Sequence, residues 1–204
     1  VTIASNLSGT YQSATFEAKD APVPVTVVDS ENASLGAGMM VRRAAAMRDA
    51  GADGDTVREA LEHMRARMQL MFTVGTLEFL QKGGRIGRAS AMVGSLLNIK
   101  PILTLDGGTV EPAGKARGAK KAMKEMVGRL ASYREAHPEG VLRISFLHIQ
   151  DEAAADRVRD AVRDAGIEFE DVGTDELGAV VGVHVGPGTH GYYAFADDQP
   201  DLGI

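Results

Sequence analysis

The segment VPVTVVDS, residues 23 to 30, predicts the fold class of this chain. Its run of valines is typical of a strand that is buried on both faces, as strands of a parallel sheet are. Asp29 and Ser30 then follow at the carboxyl end of this strand, where open α/β sheets bind ligands. The segment therefore predicts a parallel α/β sheet with a ligand site at its edge.

The elements around this segment alternate between strands and helices. VTIAS, at residues 1 to 5, predicts a strand, and residues 8 to 21 predict a helix. A second helix is predicted from Leu35 to Ala50, closed by Gly51. The short strand FTVG, at residues 72 to 75, ends this half. Between them, apolar residues at helical spacing predict a further helix; they are Val57, Leu61, Met64, Met68 and Met71.

The second half predicts a mixed or antiparallel sheet with helices. Asp106, Gly107 and Gly108 favour a hairpin turn. The other predicted elements are a short helix at 89–97, a long helix at 119–133, a strand at 142–149, a helix at 155–165 and a strand at 167–173. We therefore expect a two-domain α/β fold. A partial parallel-sheet domain spans 1–75, and an α+β domain spans 76–204, whose last strand can return to the first domain.

Composition restricts the class of protein. The 204 residues are 44% hydrophobic and 25% charged, as in folded globular domains. The net charge of -6 disfavours general binding to nucleic acid or to anionic membranes. No apolar run is long enough for stable membrane insertion. The absence of cysteine removes disulfides and thiolate nucleophiles and fits a reducing compartment, so we predict a cytoplasmic location.

A polar turn follows the first predicted strand. Asn6, Ser8 and Gly9 lie where the strand gives way to a helix, so Ser8 can cap the unpaired backbone donors of the helix start. Such a turn suits a small anion, because a helix N-terminus carries partial positive charge. An ordinary N-cap on a surface helix explains the same residues, and the segment alone leaves both interpretations open.

A basic, glycine-rich loop is the second candidate site. KGGRIGR places Lys82, Arg85 and Arg88 around three glycines, which lets guanidinium groups and backbone donors approach one oxyanion. A solvated basic turn is the alternative. Lys100, Lys115 and Arg117 add positive charge, and together these side chains can position a phosphoryl group or dock an acidic partner if they converge.

GVHVGPGTHG, residues 182 to 191, is the third candidate. His184 follows an apolar run that predicts a strand, and the glycines and proline after it favour a tight turn that holds the imidazole at the strand end. His184 and His190 belong to no H-E-x-x-H set, so no metal site is predicted. Because no G-x-S-x-G elbow occurs, no catalytic residue is assigned.

Several motifs taken together resemble the DegV family of fatty-acid-binding proteins. They are SNLSGTYQSA, VVDS, TLEFLQKGGRIGRA, LLNIKPIL, the Lys115 and Arg117 pair in GKARG, and HVGPGTHG. Their order and spacing match the family over essentially all 204 residues. The family pattern also includes an N-terminal stretch with an Asp-Ser strand end and a Thr-Ser motif, so the resemblance implies that this usual N-terminal portion is lacking here.

The resemblance implies a carrier and not an enzyme. Such a protein binds a long-chain fatty acid in a buried tunnel and presents its carboxylate to a separate fatty acid kinase subunit, which makes acyl phosphate and itself binds ATP and magnesium. No cofactor is then expected beyond the bound fatty acid. The implied carboxylate-binding residues are Ser5, Asn6 and His184. The implied residues for kinase docking or phosphoryl positioning are Arg85, Lys100 and Arg117.

Two other functions stay open on the residues alone. An enzyme could act on a small phosphorylated metabolite in a cleft between KGGRIGR and His184. A plain interaction domain would bind neither lipid nor metabolite.

Overall fold

A computed structural model of the chain describes residues 1–94 and 99–202. Within them, one six-stranded sheet has the order β3-β2-β1-β6-β4-β5. The strands are β1 (Met68–Thr73), β2 (Ile99–Asp106), β3 (Thr109–Arg117), β4 (Val141–His148), β5 (Glu170–Glu176) and β6 (His190–Asp197). β4 and β5 pair in parallel and the other neighbours pair antiparallel, so the fold is mixed α/β, as the sequence predicts.

Helices cover both faces of this sheet. They are α1 (Thr10–Glu17), α2 (Leu35–Asp49), α3 (Gly54–Ala66), α4 (Glu78–Lys82), α5 (Ala119–Ala136), α6 (Glu152–Asp164) and α7 (Ala179–Val185). α5 and α6 pack on one face, here called the α5–α6 face. α2, α3, α4 and α7 contribute to the core on the other, here called the cavity face. Strand side chains alternate between these two cores, so Leu70 and Phe72 face the cavity side while Met71 faces α5.

The predicted strand at residues 23–30 is wrong for most of its length. A single parallel bridge joins Thr2 to Asp29, and the Thr2 N–H donates to the Val28 carbonyl at 2.9 Å. Val28 is 8% exposed, whereas Val25 is 49% exposed and is not part of a buried strand. Among the described residues, this segment forms strand-like pairing only with the backbone near Thr2. That pairing involves only the carboxyl end of the segment.

The apolar residues at helical spacing from Val57 to Met71 are divided between two elements. α3 ends at Ala66, so the prediction that placed Met68 and Met71 on this helix is wrong. Both residues lie in β1, where they pair with Phe195 and Tyr192 of β6. Their helical spacing is a coincidence of chain order, because pairing with a strand far along the chain determines the structure here.

His184 lies on a helix and not at the end of a strand, which corrects the prediction for the GVHVGPGTHG segment. In α7, the Gly182 N–H donates to the Gly178 carbonyl at 2.9 Å, and the Gly186 N–H donates to the Gly182 carbonyl at 2.8 Å. A seven-residue apolar run fits a short strand and a buried helix equally well by periodicity. The turn after it is present, with Gly186 and Gly188 at φ of +77°.

Other predicted elements are confirmed. Gly107 and Gly108 have φ of +53° and +75° and form the turn of the β2–β3 hairpin. α2 is followed by Gly51 at φ of +87°. The helix predicted at 89–97 is a 3₁₀ helix from Gly87 to Met92, and residues 95–98 lie outside the described residues.

The domain boundary near residue 75 stays a prediction. β1, which precedes that boundary, lies between β2 and β6 in the same sheet.

A buried ion pair fixes α2 to the sheet. The Arg43 Nη2 lies 2.6 Å from the Asp197 Oδ2, with side chains 1% and 0% exposed. Arg143 Nε also reaches this carboxylate, at 3.0 Å. Arg43 Nη1 donates to the carbonyl of Gln199 at 3.1 Å, and its guanidinium lies 5.5 Å from the Phe195 ring centre.

We expect Arg43→Met to lower the free energy of unfolding by about 3 kcal/mol, because it leaves a buried carboxylate with only one of its two cationic partners. Urea denaturation followed by circular dichroism measures this loss. Arg48→Met is the matched control, because the exposed pair of Arg48 with Asp49 contributes about 1 kcal/mol or less. Equal losses in the two variants would contradict the assigned role of Arg43.

Candidate functional site

An apolar cavity of about 230 Å³ lies on the cavity face of the sheet. β1 contributes Leu70 and Phe72 to its wall, and the N-terminal segment contributes Ile3 and Leu7. The remaining apolar lining comes from the segment before α2, the β2–β3 hairpin, the ends of β4 and β5, and helices α4 and α7; these residues are Ala33, Leu80, Leu105, Val110, Leu147, Leu177, Val180, Val181 and Val185. The cavity therefore suits a hydrocarbon.

Two buried polar side chains in this lining are already hydrogen-bonded within the protein. The Thr189 hydroxyl donates to the carbonyl of Gly186 at 2.8 Å, and the Tyr193 hydroxyl donates to the carbonyl of Ala33 at 2.8 Å. Burial raises the pKa of Tyr193, so this phenol stays neutral. Neither hydroxyl needs a hydrogen bond from a ligand. The part of the cavity that they line can therefore accommodate an apolar group.

The other polar lining residues are Ser8, Thr10, Ser34, Arg85 and His184. The hydroxyl oxygens of Ser8 and Thr10 lie 2.8 Å apart, and Ser8 Oγ accepts a hydrogen bond from the Thr10 N–H at 3.3 Å. The N-cap residue of α1 is Gly9. Ser8 precedes the N-cap position, and its hydroxyl accepts from the first N–H of the helix. The turn thus presents hydroxyl groups to the cavity.

Glycine contacts bring KGGRIGR and HVGPGTHG together. A Cβ on Gly83 would lie 2.2 Å from His184 Nδ1, so only glycine fits the imidazole in this position. A Cβ on Gly186 would lie 2.3 Å from the ring of Phe79. His184 Nδ1 is buried and has no hydrogen-bond partner within residues 1–94 and 99–202. The two motifs predicted from the sequence therefore form one site, in which the His184 imidazole packs against Gly83.

Arg85 connects the basic loop to the N-terminal turn. Its Nε donates to the carbonyl of Leu7 at 3.1 Å, and its Nη1 donates to the carbonyl of Gly83 at 2.7 Å. Within residues 1–94 and 99–202, Arg85 forms no ion pair with a carboxylate. Its positive charge at the cavity is therefore balanced by carbonyl dipoles alone, and it favours an anion there.

Ser5 and Asn6, two of the predicted carboxylate ligands, are not among the residues that line the cavity. The Ser5 N–H faces the Asp29 carboxylate, at 3.2 and 3.3 Å from its two oxygens. The Asn6 side-chain amide donates to the carbonyl of Gly107 at 2.7 Å. Both residues fix the N-terminal turn to its neighbours, and their role toward a ligand stays a prediction.

Lys100 and Arg117 lie outside the cavity, on the β2–β3 hairpin. Lys100 pairs in register with Ala116, and Ile99 pairs with Arg117, so the two cations lie near the same end of the hairpin. The structure does not bring them to the cavity lining with Arg85. Their role in docking or phosphoryl positioning stays a prediction.

Ser34 and Thr10 are lining residues that the sequence analysis missed. Ser34 is the N-cap residue of α2 and has the unusual dihedrals φ 48° and ψ -120°. Strained non-glycine residues cluster at functional sites. The serine before the predicted helix at Leu35 was the available signal, although its strain can be seen only in the folded chain.

The described part of the chain holds neither a cluster of metal ligands nor a helix that could cross a membrane. No group of three or more His, Asp or Glu side chains there is arranged to hold a metal ion. Among the same residues, no helix has the length and apolar character that a bilayer crossing requires.

Comparison with known proteins identifies the family. The family described as "Uncharacterised protein, DegV family" matches residues 1–197. A DegV domain-containing protein of Deinococcus radiodurans is 42% identical over 93% of this chain and 66% of its own length. A protein of Thermotoga maritima described as a fatty acid-binding protein is 36% identical, over 94% of this chain and 66% of its own length.

A solved structure agrees with this assignment. It is described as fatty acid binding of a DegV family protein from Thermus thermophilus, and it is 46% identical with a TM-score of 0.90, over 96% of this chain and 69% of that one. The chain therefore spans about two thirds of the length of the relatives that it matches. It belongs to the DegV family.

Proposed function

We propose that the apolar cavity binds the tail of a long-chain fatty acid, with the carboxylate at the polar residues around Arg85 and His184. The observation that carries this proposal is the separation of the lining into two parts. Apolar side chains form most of the wall, while the polar part of the lining includes the His184 imidazole and the Arg85 guanidinium, which forms no carboxylate ion pair among the described residues. A molecule with one anionic end and a long apolar body matches both parts.

The relatives support this ligand class. The Thermotoga maritima relative is described as a fatty acid-binding protein, and the Thermus thermophilus structure is described as binding fatty acid. The second of these is 46% identical to the chain with a TM-score of 0.90, which supports a similar ligand class here.

The tail supplies affinity and the head supplies orientation. Burial of about 14 methylenes at about 0.8 kcal/mol each contributes about 11 kcal/mol before the costs of association. Hydrogen bonds to a charged carboxylate contribute about 1.5–3 kcal/mol each. A cavity of about 230 Å³ is smaller than typical ligand pockets of about 300–1,000 Å³. Because its walls are aliphatic side chains, rotamer changes can widen it for a tail.

The second part of the proposal is that the protein presents the bound carboxylate to a separate kinase. Phosphoryl transfer depends on positioning and charge stabilisation more than on covalent help from the protein. Arg85 is suited to this role, because it lies at the cavity and forms no carboxylate ion pair among the described residues. Lys100 and Arg117 supply further positive charge for docking. ATP and magnesium belong to the kinase, and the carrier acts inside the cytoplasm.

A second candidate is an enzyme that acts on a small phosphorylated metabolite. The contact between Gly83 and His184 favours it, because that contact brings the basic loop beside an imidazole. Turnover of a phosphoester by the purified chain without any other protein would support this candidate over the carrier.

The purified protein is expected to carry about one fatty acid per chain when extracted with solvent and measured by mass spectrometry. Val181→Trp should lower this occupancy at least tenfold, because Val181 lines the cavity and the larger side chain fills it. Val183→Trp on the same helix is the control, since Val183 is 65% exposed and outside the lining. Folded protein without any bound fatty acid, or equal occupancy in the two variants, would contradict the proposal.

Arg85→Ala should retain fatty acid but slow acyl phosphate formation by a fatty acid kinase at least tenfold, because it removes positive charge beside the carboxylate. Lys82→Ala is the matched control in the same loop, where Lys82 pairs with the exposed Glu78. The measurements are fatty acid occupancy and the rate of acyl phosphate formation. Loss of fatty acid in Arg85→Ala would show that the guanidinium holds the ligand instead.

Gly83→Ala should lower fatty acid occupancy several-fold with little loss of stability, because the new methyl group clashes mainly with the His184 side chain, at 2.2 Å, and less with the Phe79 carbonyl oxygen, at 3.1 Å. The chemical shifts of the His184 ring and the lipid content measure the two effects. Gly128→Ala is the control: it adds a methyl group with nothing within 4 Å in the interior of α5 and should stabilise by about 0.5–1 kcal/mol. Unchanged His184 shifts in Gly83→Ala would refute this contact.

A further inference from the structure

A row of three polar side chains crosses the sheet on the α5–α6 face. Thr73 of β1 lies directly opposite His190 of β6, and His190 lies directly opposite His148 of β4. Directly opposed residues place their side chains on the same face. That face is the α5–α6 face, because Met71, Phe146 and Tyr192, two residues away along the three strands, belong to its core. We call Thr73, His190 and His148 the polar row.

Two members of the polar row are buried with unused hydrogen-bonding atoms. Thr73 is 3% exposed, and its Oγ1 has no partner among the residues that the structure describes. In the same part of the chain, His148 is 9% exposed and its Nδ1 has no partner. Buried polar atoms in folded proteins are nearly always hydrogen-bonded, so each exception needs an explanation. Two such atoms on either side of His190 indicate that the row is built to bind something polar.

The middle residue of the polar row, His190, lies at a groove between α5 and α6, and Thr73 and His148 flank it on the neighbouring strands. His190 lines this groove, which has a volume of about 780 Å³. Its rim is cationic, with Lys120, Lys121, Lys124 and Arg157, and Asp164 is the single acidic lining residue. The Ala119 end of α5 also lines it, and α5 begins after Gly118 with no side-chain cap and no acidic residue in its first turn. The free N–H groups of that turn add positive potential.

The charges that act on His190 are mixed but mostly positive. Lys100 of β2 and Arg157 of α6 oppose its protonation, while Asp151 favours it. The Asp151 carboxylate is already engaged, because it caps α6 at the Ala154 N–H and lies 3.7 Å from Arg157. Burial is the main cause that lowers the pKa of His190.

We propose that the polar row and the adjoining end of the α5–α6 groove bind a phosphate-type anion, as inorganic phosphate or as a phosphomonoester. Monohydrogen phosphate carries anionic oxygens that accept from the Thr73 hydroxyl and an O–H that donates to an imidazole nitrogen. His190 Nδ1 lies 3.0 Å from the Gly188 carbonyl, which leaves its Nε2 for the ligand. Lys100 and Arg157 supply the positive charge. A metal cation is disfavoured by the same two side chains.

This site is separate from the fatty acid cavity. Thr189 lines the cavity, whereas the next residue, His190, lines the groove, so the two sites lie on opposite faces of the sheet. The phosphate proposal therefore stands or falls independently of fatty acid binding, and it shares only Lys100 with the proposed docking of a kinase.

The test is a titration with inorganic phosphate at constant ionic strength, followed by the ring nitrogen and carbon shifts of the five histidines. The His148 and His190 signals should move saturably at millimolar phosphate, while His63 and His137 stay unchanged. Sulfate, which has no O–H at neutral pH, should bind at least fivefold more weakly. Equal responses to sulfate or chloride, equal shifts at all histidines, or no shift would overturn the proposal.

Thr73→Val gives an independent test, because it keeps the shape of the side chain and removes only the unpaired hydroxyl. It should weaken phosphate affinity about tenfold and abolish most of the rise in melting temperature that phosphate gives the unmodified protein. Without phosphate it should be at least as stable as the unmodified protein. Thr104→Val on β2 is the control and should retain phosphate affinity. An unchanged affinity in Thr73→Val would remove Thr73 from the site and overturn the proposal.

Discussion

The pairing of β1 with β6 is the constraint on which the rest of the structure depends. These strands run side by side in the middle of the sheet, from Met68 opposite Phe195 to Thr73 opposite His190. A slip of one residue would exchange the side chains of the two faces. Gly191 fixes the register sterically, because a Cβ there would lie 2.1 Å from the Met71 carbonyl oxygen. The strands can approach in this way only with glycine at that position.

This register separates two chemistries that lie close together in the chain. Leu70, Phe72 and Tyr193 face the apolar cavity, while Thr73 and His190 face α5 and α6. The same strands thus provide an apolar wall on one side and polar groups on the other. A ligand on either side contacts the sheet through its own set of side chains, and neither set can shift without disturbing the other through the shared backbone.

The parts of the fold that the sequence predicts are those whose signals are local. The Gly107–Gly108 turn, the end of α2 at Gly51 and the amphipathic α5 each depend on residues within a few positions. Met68 and Met71 were misplaced because their partners lie more than 120 residues away on β6. His184 was misplaced because a short apolar run does not distinguish a strand from a buried helix.

The candidate site shows the same limit. Arg85 and His184 line one cavity, in agreement with the sequence pattern that singled out their two motifs. Ser5 and Asn6 are outside the lining and contact Asp29 and Gly107 instead. The polar row could not be predicted, because its residues are separated by at least 42 positions and meet only through strand pairing. No local motif marks Thr73 or His148 as special.

The glycines of KGGRIGR belong to a loop that the sequence correctly identifies as part of the candidate site, but their structural role differs from the one that the sequence suggests. The sequence suggests that they open the backbone to an oxyanion, as in phosphate-binding loops. In the structure Gly83 instead leaves room for the His184 ring, and Gly87, at φ of +53°, approaches the Val110 carbonyl. The loop is held against α7 and the hairpin, and only Arg85 presents charge at the cavity. Arg88 of the same loop pairs with Glu111 instead. A loop that brings one guanidinium to the cavity is better suited to orient a single carboxylate than to enclose a phosphate, which agrees with the proposed carrier of fatty acid.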